Sequence, residues 1–295
     1  MMKGKGAGRT RAFTIEVIVA ITILAILSLS LPGCAQSGGT FKGVVKASGS
    51  TTVLPIAQEA AVQLGDMKKG AKVEVQGGGS SVGIQQLKQK IVQIANSSRE
   101  LKPGENPGTF VDHKIAFDII AIVVNPANPV KNLTAEQVKG IFTGRIKNWK
   151  EVGGPDKNII VVVRDQASGT REIFDQKVLG STTEKPVESE PSAIECASNG
   201  VMRETLGITQ NGIGYISYGY INKLIRPISY NGFEPTVKNS IDGKYPISRF
   251  LHMFTNGPAT GTIKEYIDFV LSDKFQDEIV AQEYVQMKLV QSGVR

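Results

Sequence analysis

Three stretches set small, hydroxyl and cationic residues in places where they could hold an anion. They are Ser48-Gly49-Ser50-Thr51-Thr52, Gly77-Gly78-Gly79-Ser80-Ser81 and Arg164-Asp165-Gln166-Ala167-Ser168-Gly169-Thr170. Each follows a β-rich run (Val44–Ala47, Val73–Gln76, Ile159–Val163) and precedes a helical pattern. A strand–loop–helix junction leaves unpaired backbone N–H groups at the positive end of a helix. Glycine lets a ligand approach that backbone, and Ser and Thr hydroxyls add donors that can also turn to accept. Taken singly, Gly77–Ser81 reads more readily as a plain flexible turn. Ser168–Thr170 could be an ordinary N-cap ahead of Glu172. Three such loops, one opening with a guanidinium, point to an oxyanion site.

The elements that must position these loops alternate between strand and helix. A strand near Lys42–Ala47 leads to a helix from about Pro55 to Met67, with the proline in the first turn where it is tolerated. A strand near Lys72–Gln76, a helix over Val82–Lys90 and a strand near Val92–Asn96 follow. Ile115–Val124 is almost continuously aliphatic, as in a strand buried on both faces. Asn125-Pro126-Ala127-Asn128-Pro129 reads as a hinge, and Thr134 caps a helix running to Phe142. The pattern predicts an α/β fold with mainly parallel sheets. Ligands in such folds sit beyond the carboxyl ends of the strands, where the three loops lie.

The 295 residues suffice for about two domains. Residues 1–33 read as a lipoprotein signal peptide: Lys3, Lys5, Arg9 and Arg11, an apolar run from Val17 to Leu31, then Leu31-Pro32-Gly33-Cys34. This ending resembles a bacterial lipobox and makes Cys34 the expected lipidated N-terminus, with residues 34–41 as a tether. The segment contributes four basic residues against Glu16, so the net charge of +7 falls to +4 without it. No basic stripe with interleaved aromatics appears, which argues against nucleic-acid binding. Cys196 is the only other cysteine, so a disulfide framework is not expected. His113 and His252 lack metal-ligand spacing; neither a metal nor a cofactor is expected.

The ordered motifs resemble the phosphate-binding lipoproteins that serve ABC-type phosphate importers. They are Ala47–Pro55, Gln76–Ile84, Ile94-Ala95-Asn96-Ser97-Ser98-Arg99 and Arg164–Thr170. Further matches are Phe117-Asp118-x-Ile120-Ala121-x-Val123-Val124-Asn125-Pro126, Ile141-Phe142-Thr143-Gly144-x-Ile146-x-Asn148-Trp149, Gly212–Ser217, Lys244–Arg249 and Phe269–Ser272. Three positions depart from the family pattern: Gln93 where a carboxylate is usual, Ile119 where glycine is usual, and Phe275 before Gln276.

The resemblance implies a two-lobe periplasmic-binding-protein architecture, type II-like, that closes on its ligand. Lobe I would comprise 42–124 plus 250–295 and lobe II 125–249. By motif, phosphate would be held by Thr51, Thr52, Ser80, Ser81, Ser98, Arg164, Ser168, Gly169 and Thr170, with Arg164 the only fixed cation. Phosphate keeps a proton that sulfate lacks, so a buried acceptor can discriminate between them. Asp118 is the expected acceptor and Asp165 the runner-up. The implied protein is not an enzyme. It is a monomeric receptor, lipid-anchored at the outer face of the cytoplasmic membrane or in the periplasm, that passes inorganic phosphate to permease subunits. The alternatives are a receptor for sulfate or molybdate and, since no nucleophile–base motif is present, less favourably a phosphoester hydrolase.

Overall fold

The computed structural model describes residues 44–293; the expected signal peptide, Cys34 and the expected tether lie outside the described residues. The first elements are β1 (Val44–Gly49), α1 (Leu54–Met67), β2 (Lys72–Gln76), α2 (Ser80–Lys88) and β3 (Ile94–Ser97). Helix α1 has its proline in the first turn and buries Ile56, Ala57, Ala60 and Leu64, a single stripe at helical spacing. The chain continues through β4 (Phe110–Val124), β5 (Asn132–Leu133), α3 (Ala135–Phe142), β6 (Ile160–Arg164), α4 (Gly169–Phe174) and β7 (Ile194–Cys196). Thr134 and Gln137 close a reciprocal capping box on α3. Then come α5 (Asn199–Ile208), β8 (Gly212–Ser217), β9 (Arg226–Pro227), β10 (Ser229–Tyr230), α6 (Val237–Ile241), β11 (Ser248–Asn256) and α7 (Gly261–Leu271). Among the described residues no helix is long and apolar enough to cross a membrane.

The main sheet runs β2-β1-β3-β11-β4-β8-β6-β7, with β9 beside β4. Its flanks are parallel: β1 with β2 and β3, and β6 with β7 and β8. Its middle is antiparallel, where β11 pairs with β3 and β4, and β4 with β8. Each flank is covered on both faces. Val45, Ile56, Leu64, Ile94, Leu251 and Tyr266 pack on one side of the first, and Ile84, Leu87, Phe110 and Phe254 on the other. The second buries Ile141, Phe142, Trp149, Phe174 and Tyr215 on one side and Met202, Leu206 and Ile216 on the other. These are the two lobes.

The passage between lobes differs from the expected hinge. Ile115 and Ala116 of β4 pack in the first core, whereas Ile119 and Ile120 of the same strand pack in the second. The Asn125–Pro129 turn lies beyond that crossing. Asn125 Nδ2 donates to the carbonyls of Leu206 and Gly207 at 2.9 and 2.8 Å, anchoring the turn in the second lobe. Two prolines after a buried strand mark a turn, and packing decides whether the turn flexes. Here β4 and β11 make the crossing.

The second core contains a poorly solvated carboxyl group. Burial pushes Asp175 from 3.8 up to about 6, opposed by the Arg171 guanidinium 3.5 Å away. The folded protein therefore holds this proton more tightly than the unfolded chain does. Stability is lost as pH rises from the unfolded value to the folded one, and it stays lost above it. Asp175→Asn should raise the thermal midpoint at pH 8, by at most roughly 3 kcal/mol of stability, with the gain vanishing near pH 3.5. Equal midpoints at pH 8 would show that the buried charge is fully compensated.

Candidate functional site

Local hydrogen bonds turn each strand into its helix. Ser50 Oγ accepts from the N–H groups of Thr52 and Val53 at 3.1 and 3.4 Å, steering the chain out of β1 into α1. The Gly79 N–H donates to Gly49 O at 2.9 Å, tying the first loop to the second. Gly49 has φ +130°, and a Cβ there would stand 2.2 Å from Asn96 O, so only glycine fits. Ser80 begins α2, and its Oγ accepts the Ser98 N–H at 3.1 Å. In the third loop Ser168 does cap α4, accepting from the Arg171 N–H at 3.3 Å. A hydroxyl that caps in this way keeps its own hydrogen for another acceptor.

The loops meet across the lobes. Thr52 Oγ1 and Thr170 Oγ1 are 3.2 Å apart. The Ser81 N–H donates to Ala167 O at 3.1 Å, and Tyr220 OH donates to Thr51 O at 2.6 Å. Gly169 lies so close that a Cβ on it would stand 2.5 Å from Ser80 Oγ and 2.8 Å from Ser98 Oγ. The cleft is shut along this line. Beside it, a groove of about 460 Å³ is lined by residues that include Lys102, Gln166 and Ser168. There Glu172 of the second lobe ion-pairs with Arg99 and Lys102 of the first, each at 2.8 Å.

Arg164 is 1 % exposed. Its Nε and Nη2 each donate at 3.1 Å, to the carbonyls of Cys196 and Ala197. Its Nη1 is buried with no hydrogen-bond partner. Burial presses the guanidinium pKa down and Asp165 opposes this, while the nearby Arg249 charge adds to the depression. Burial also pushes the Asp165 carboxyl up, against the Arg164 charge, and its Oδ1 has no hydrogen-bond partner.

Asp118 has partners that the sequence did not indicate. Its Oδ2 accepts from Arg249 Nε and Nη2 at 3.0 and 2.8 Å, and its Oδ1 accepts from Ser217 Oγ at 2.6 Å. Burial pushes its pKa up, while the Arg249 charge and the Ser217 hydroxyl pull it down. The carboxylate is therefore engaged by a guanidinium and a hydroxyl of the protein, partners that the expected role as acceptor of a ligand proton did not include. Nor is Arg164 the only fixed cation here, since Arg249 is buried beside it.

Thr52, Ser80, Ser98, Gly169 and Thr170 come together at the seam. Thr51 lies at the edge, its Oγ1 3.4 Å from Asn199 Nδ2. The Ser81 hydroxyl turns away to accept from Arg99 Nη2 at 3.0 Å. Sequence reasoning missed Arg249, Ser217 and Asn199, whose Nδ2 donates to Thr52 Oγ1 at 2.9 Å. Asn199 had a legible signal: Ile194–Cys196, then Ala197-Ser198-Asn199, is a fourth strand–loop–helix junction, with Ser198 as N-cap. Away from the cleft, the fold brings His252 Nδ1 within 2.8 Å of Asp112, with Nε2 3.7 Å from Glu100, a neighbourhood that sequence spacing hides.

A family model described as "PBP superfamily domain" matches residues 35–274. The phosphate-binding protein PstS of Bacillus subtilis is 34% identical over 282 residues, covering 90% of this chain and 92% of that protein. Its namesake in Borreliella burgdorferi is 33% identical over 275 residues, covering 91% and 98%. Among solved structures, a phosphate ABC transporter substrate-binding protein from Clostridium perfringens with bound phosphate has a TM-score of 0.77 and 33% identity. The similarity covers 83% of this chain and 100% of that one. An ABC-type phosphate transport receptor from Vibrio cholerae has a TM-score of 0.69 and 37% identity, covering 82% and 99%.

Proposed function

The chain belongs to the PBP superfamily and within it to the PstS phosphate-binding proteins, and from that premise we propose that it is a lipid-anchored extracytoplasmic receptor for inorganic phosphate. It takes up phosphate between its lobes and delivers it to an ABC permease without altering it chemically. One observation carries the reading: hydroxyls from three loops converge at a shut seam, with the buried, unpartnered Nη1 of Arg164 close by. An unmet charged donor in a closed, buried site suits a compact anion rather than a neutral or extended ligand.

Thr52, Ser80, Ser98, Gly169 and Thr170 form the inner contact set, with Arg164 as a charged donor, Ser168 giving its free hydroxyl hydrogen, and Thr51 and Ser81 at the rim. We take the lobe boundary within β4 and β11, so that lobe I spans residues 44–116 plus 251–293 and lobe II residues 119–247, each following the core in which its residues pack rather than the expected bounds at 124 and 250. Since Asp118 is engaged by Arg249, Asp165 is the carboxylate left to accept the proton that distinguishes phosphate from sulfate. Calorimetric titration of the purified protein with phosphate, sulfate and molybdate tests the assignment. Tight binding of phosphate with weak or no binding of sulfate is expected, and preference for sulfate or molybdate would turn the reading to another oxyanion.

Anchoring is proposed through Cys34, on the basic–apolar–Leu-x-Gly-Cys order of the N-terminal segment. Cys34→Ser should leave an unprocessed precursor or release the protein from membranes. Intact-mass measurement of the mature wild-type protein should find residues 1–33 removed and Cys34 carrying lipid. A mature protein that retains those residues would end this reading.

A further inference from the structure

Arg249 on β11 stands opposite Asp118 on β4 in the antiparallel ladder, and its guanidinium is divided among its neighbours. Nε and Nη2 face Asp118 Oδ2. Nη2 also reaches Thr52 Oγ1, at 3.1 Å. A guanidinium is planar, and the outward N–H of Nη1 runs parallel to the outward N–H of Nη2. With the inner edge turned to Asp118, that outward pair is directed toward Thr52 and the space beside its hydroxyl. Nη1 is buried and has no hydrogen-bond partner.

Thr52 is constrained in turn. Its Oγ1 accepts from both Arg249 Nη2 and Asn199 Nδ2. Two donors occupy both lone pairs of a hydroxyl, so its own hydrogen can only be given outward. In the shut cleft that hydrogen goes to Thr170 Oγ1. Arg249 and Asn199 together make Thr52 a donor facing the seam between the lobes.

We propose that Arg249 is a second anion-binding guanidinium of the cleft, donating from Nη1 to the oxyanion beside Thr52, and that Asp118 is the residue that positions it. The inference rests on the phosphate reading of this cleft. A buried ion pair adds little net stability compared with apolar side chains of the same volume, so a structural role explains Asp118 and Arg249 poorly. A buried charged donor left unmet is costly, and a bound anion would satisfy it. Arg164 has the same arrangement: two nitrogens anchored on protein, the third buried and unpartnered. The two guanidiniums would then bind one anion, each held rigid by its anchors.

The test is calorimetric titration with inorganic phosphate, with a thermal transition recorded for every variant. Arg249→Lys keeps a charge beside Asp118 but lacks the fork, and should bind roughly tenfold more weakly than wild type. Asp118→Asn should also weaken binding. Added to Arg249→Met it should cost nothing further, because the residue it positions is gone. A purely structural Asp118 would not show that dependence. If Arg249→Met alone fails to fold around an unpaired Asp118, the neutral double variant Arg249→Met with Asp118→Asn carries the test and should remain weak. A folded double variant that binds phosphate as tightly as wild type overturns the inference, making Arg249 only the counter-ion of Asp118. A wild-type protein that gives no heat with phosphate is a different result, which removes the phosphate reading and this inference with it.

Discussion

Arg164→Ala is expected to reduce phosphate affinity by about 2–5 kcal/mol, which is roughly 30-fold to several thousand-fold in Kd. The guanidinium is buried, anchored through Nε and Nη2 on the carbonyls of Cys196 and Ala197, and presents an unpartnered Nη1. Its removal takes away a charge-assisted donor at a buried position. It also takes a donor from each of two carbonyls, of which Cys196 O keeps the Asp165 N–H at 3.1 Å, so some loss of stability accompanies the loss of binding. Arg164→Lys separates the two effects. Lysine retains the charge but cannot hold both carbonyls and still offer a fixed third donor, so it should remain well below wild type. Calorimetry alongside a thermal scan makes the measurement. Wild-type affinity in a folded Arg164→Ala protein would remove Arg164 from the site.

Gly169→Ala should be nearly as damaging, for a steric reason. A Cβ at position 169 would stand 2.5 Å from Ser80 Oγ and 2.8 Å from Ser98 Oγ, both on the opposite lobe. Alanine suits the first turn of α4, so the second lobe should fold as before. What suffers is closure. Affinity falls by the fraction of molecules able to close, so a clash of about 2 kcal/mol in the shut form lowers it roughly thirtyfold. Small-angle scattering should show a larger radius of gyration than wild type at a phosphate concentration that just closes wild type, with the difference vanishing in large excess of phosphate and an unchanged thermal midpoint in the absence of ligand. Wild-type affinity for Gly169→Ala would mean that Ser80 and Ser98 yield to the methyl group without opening the cleft.

Much of the site was legible because its parts are local. Whether a strand breaks into glycine and hydroxyl residues and then starts a helix is decided within about ten residues, and those residues also set which N–H groups stay unpaired. The loops at Ser48–Thr52, Gly77–Ser81 and Arg164–Thr170 were therefore readable, as were the cap at Thr134 and the buried run Ile115–Val124. Family order added the expectation that these loops share one cleft, and the contact between Thr52 and Thr170 agrees with it.

The roles of the charges were not legible, because a buried charge is defined by its partner, and the partner can lie anywhere in the chain. Asp118 reads in sequence as a lone carboxylate in an aliphatic strand. The sheet places Arg249 directly across from it, and that pairing turns a candidate proton acceptor into a support for a guanidinium. The same holds for direction. A serine or threonine in a sequence can donate or accept, and Thr52 becomes a donor only because Arg249 and Asn199, brought from distant segments, occupy its lone pairs. The place where the lobes join was likewise decided by packing. Two prolines marked the turn at Asn125–Pro129, but Asn125 is bonded to the second lobe, and the crossing is left to the β4–β11 pair. The sequence by itself determined which segments could receive an anion, since turn chemistry acts between neighbours; the tertiary structure decided which groups face it and with what charge, since those depend on contacts between residues far apart in the chain.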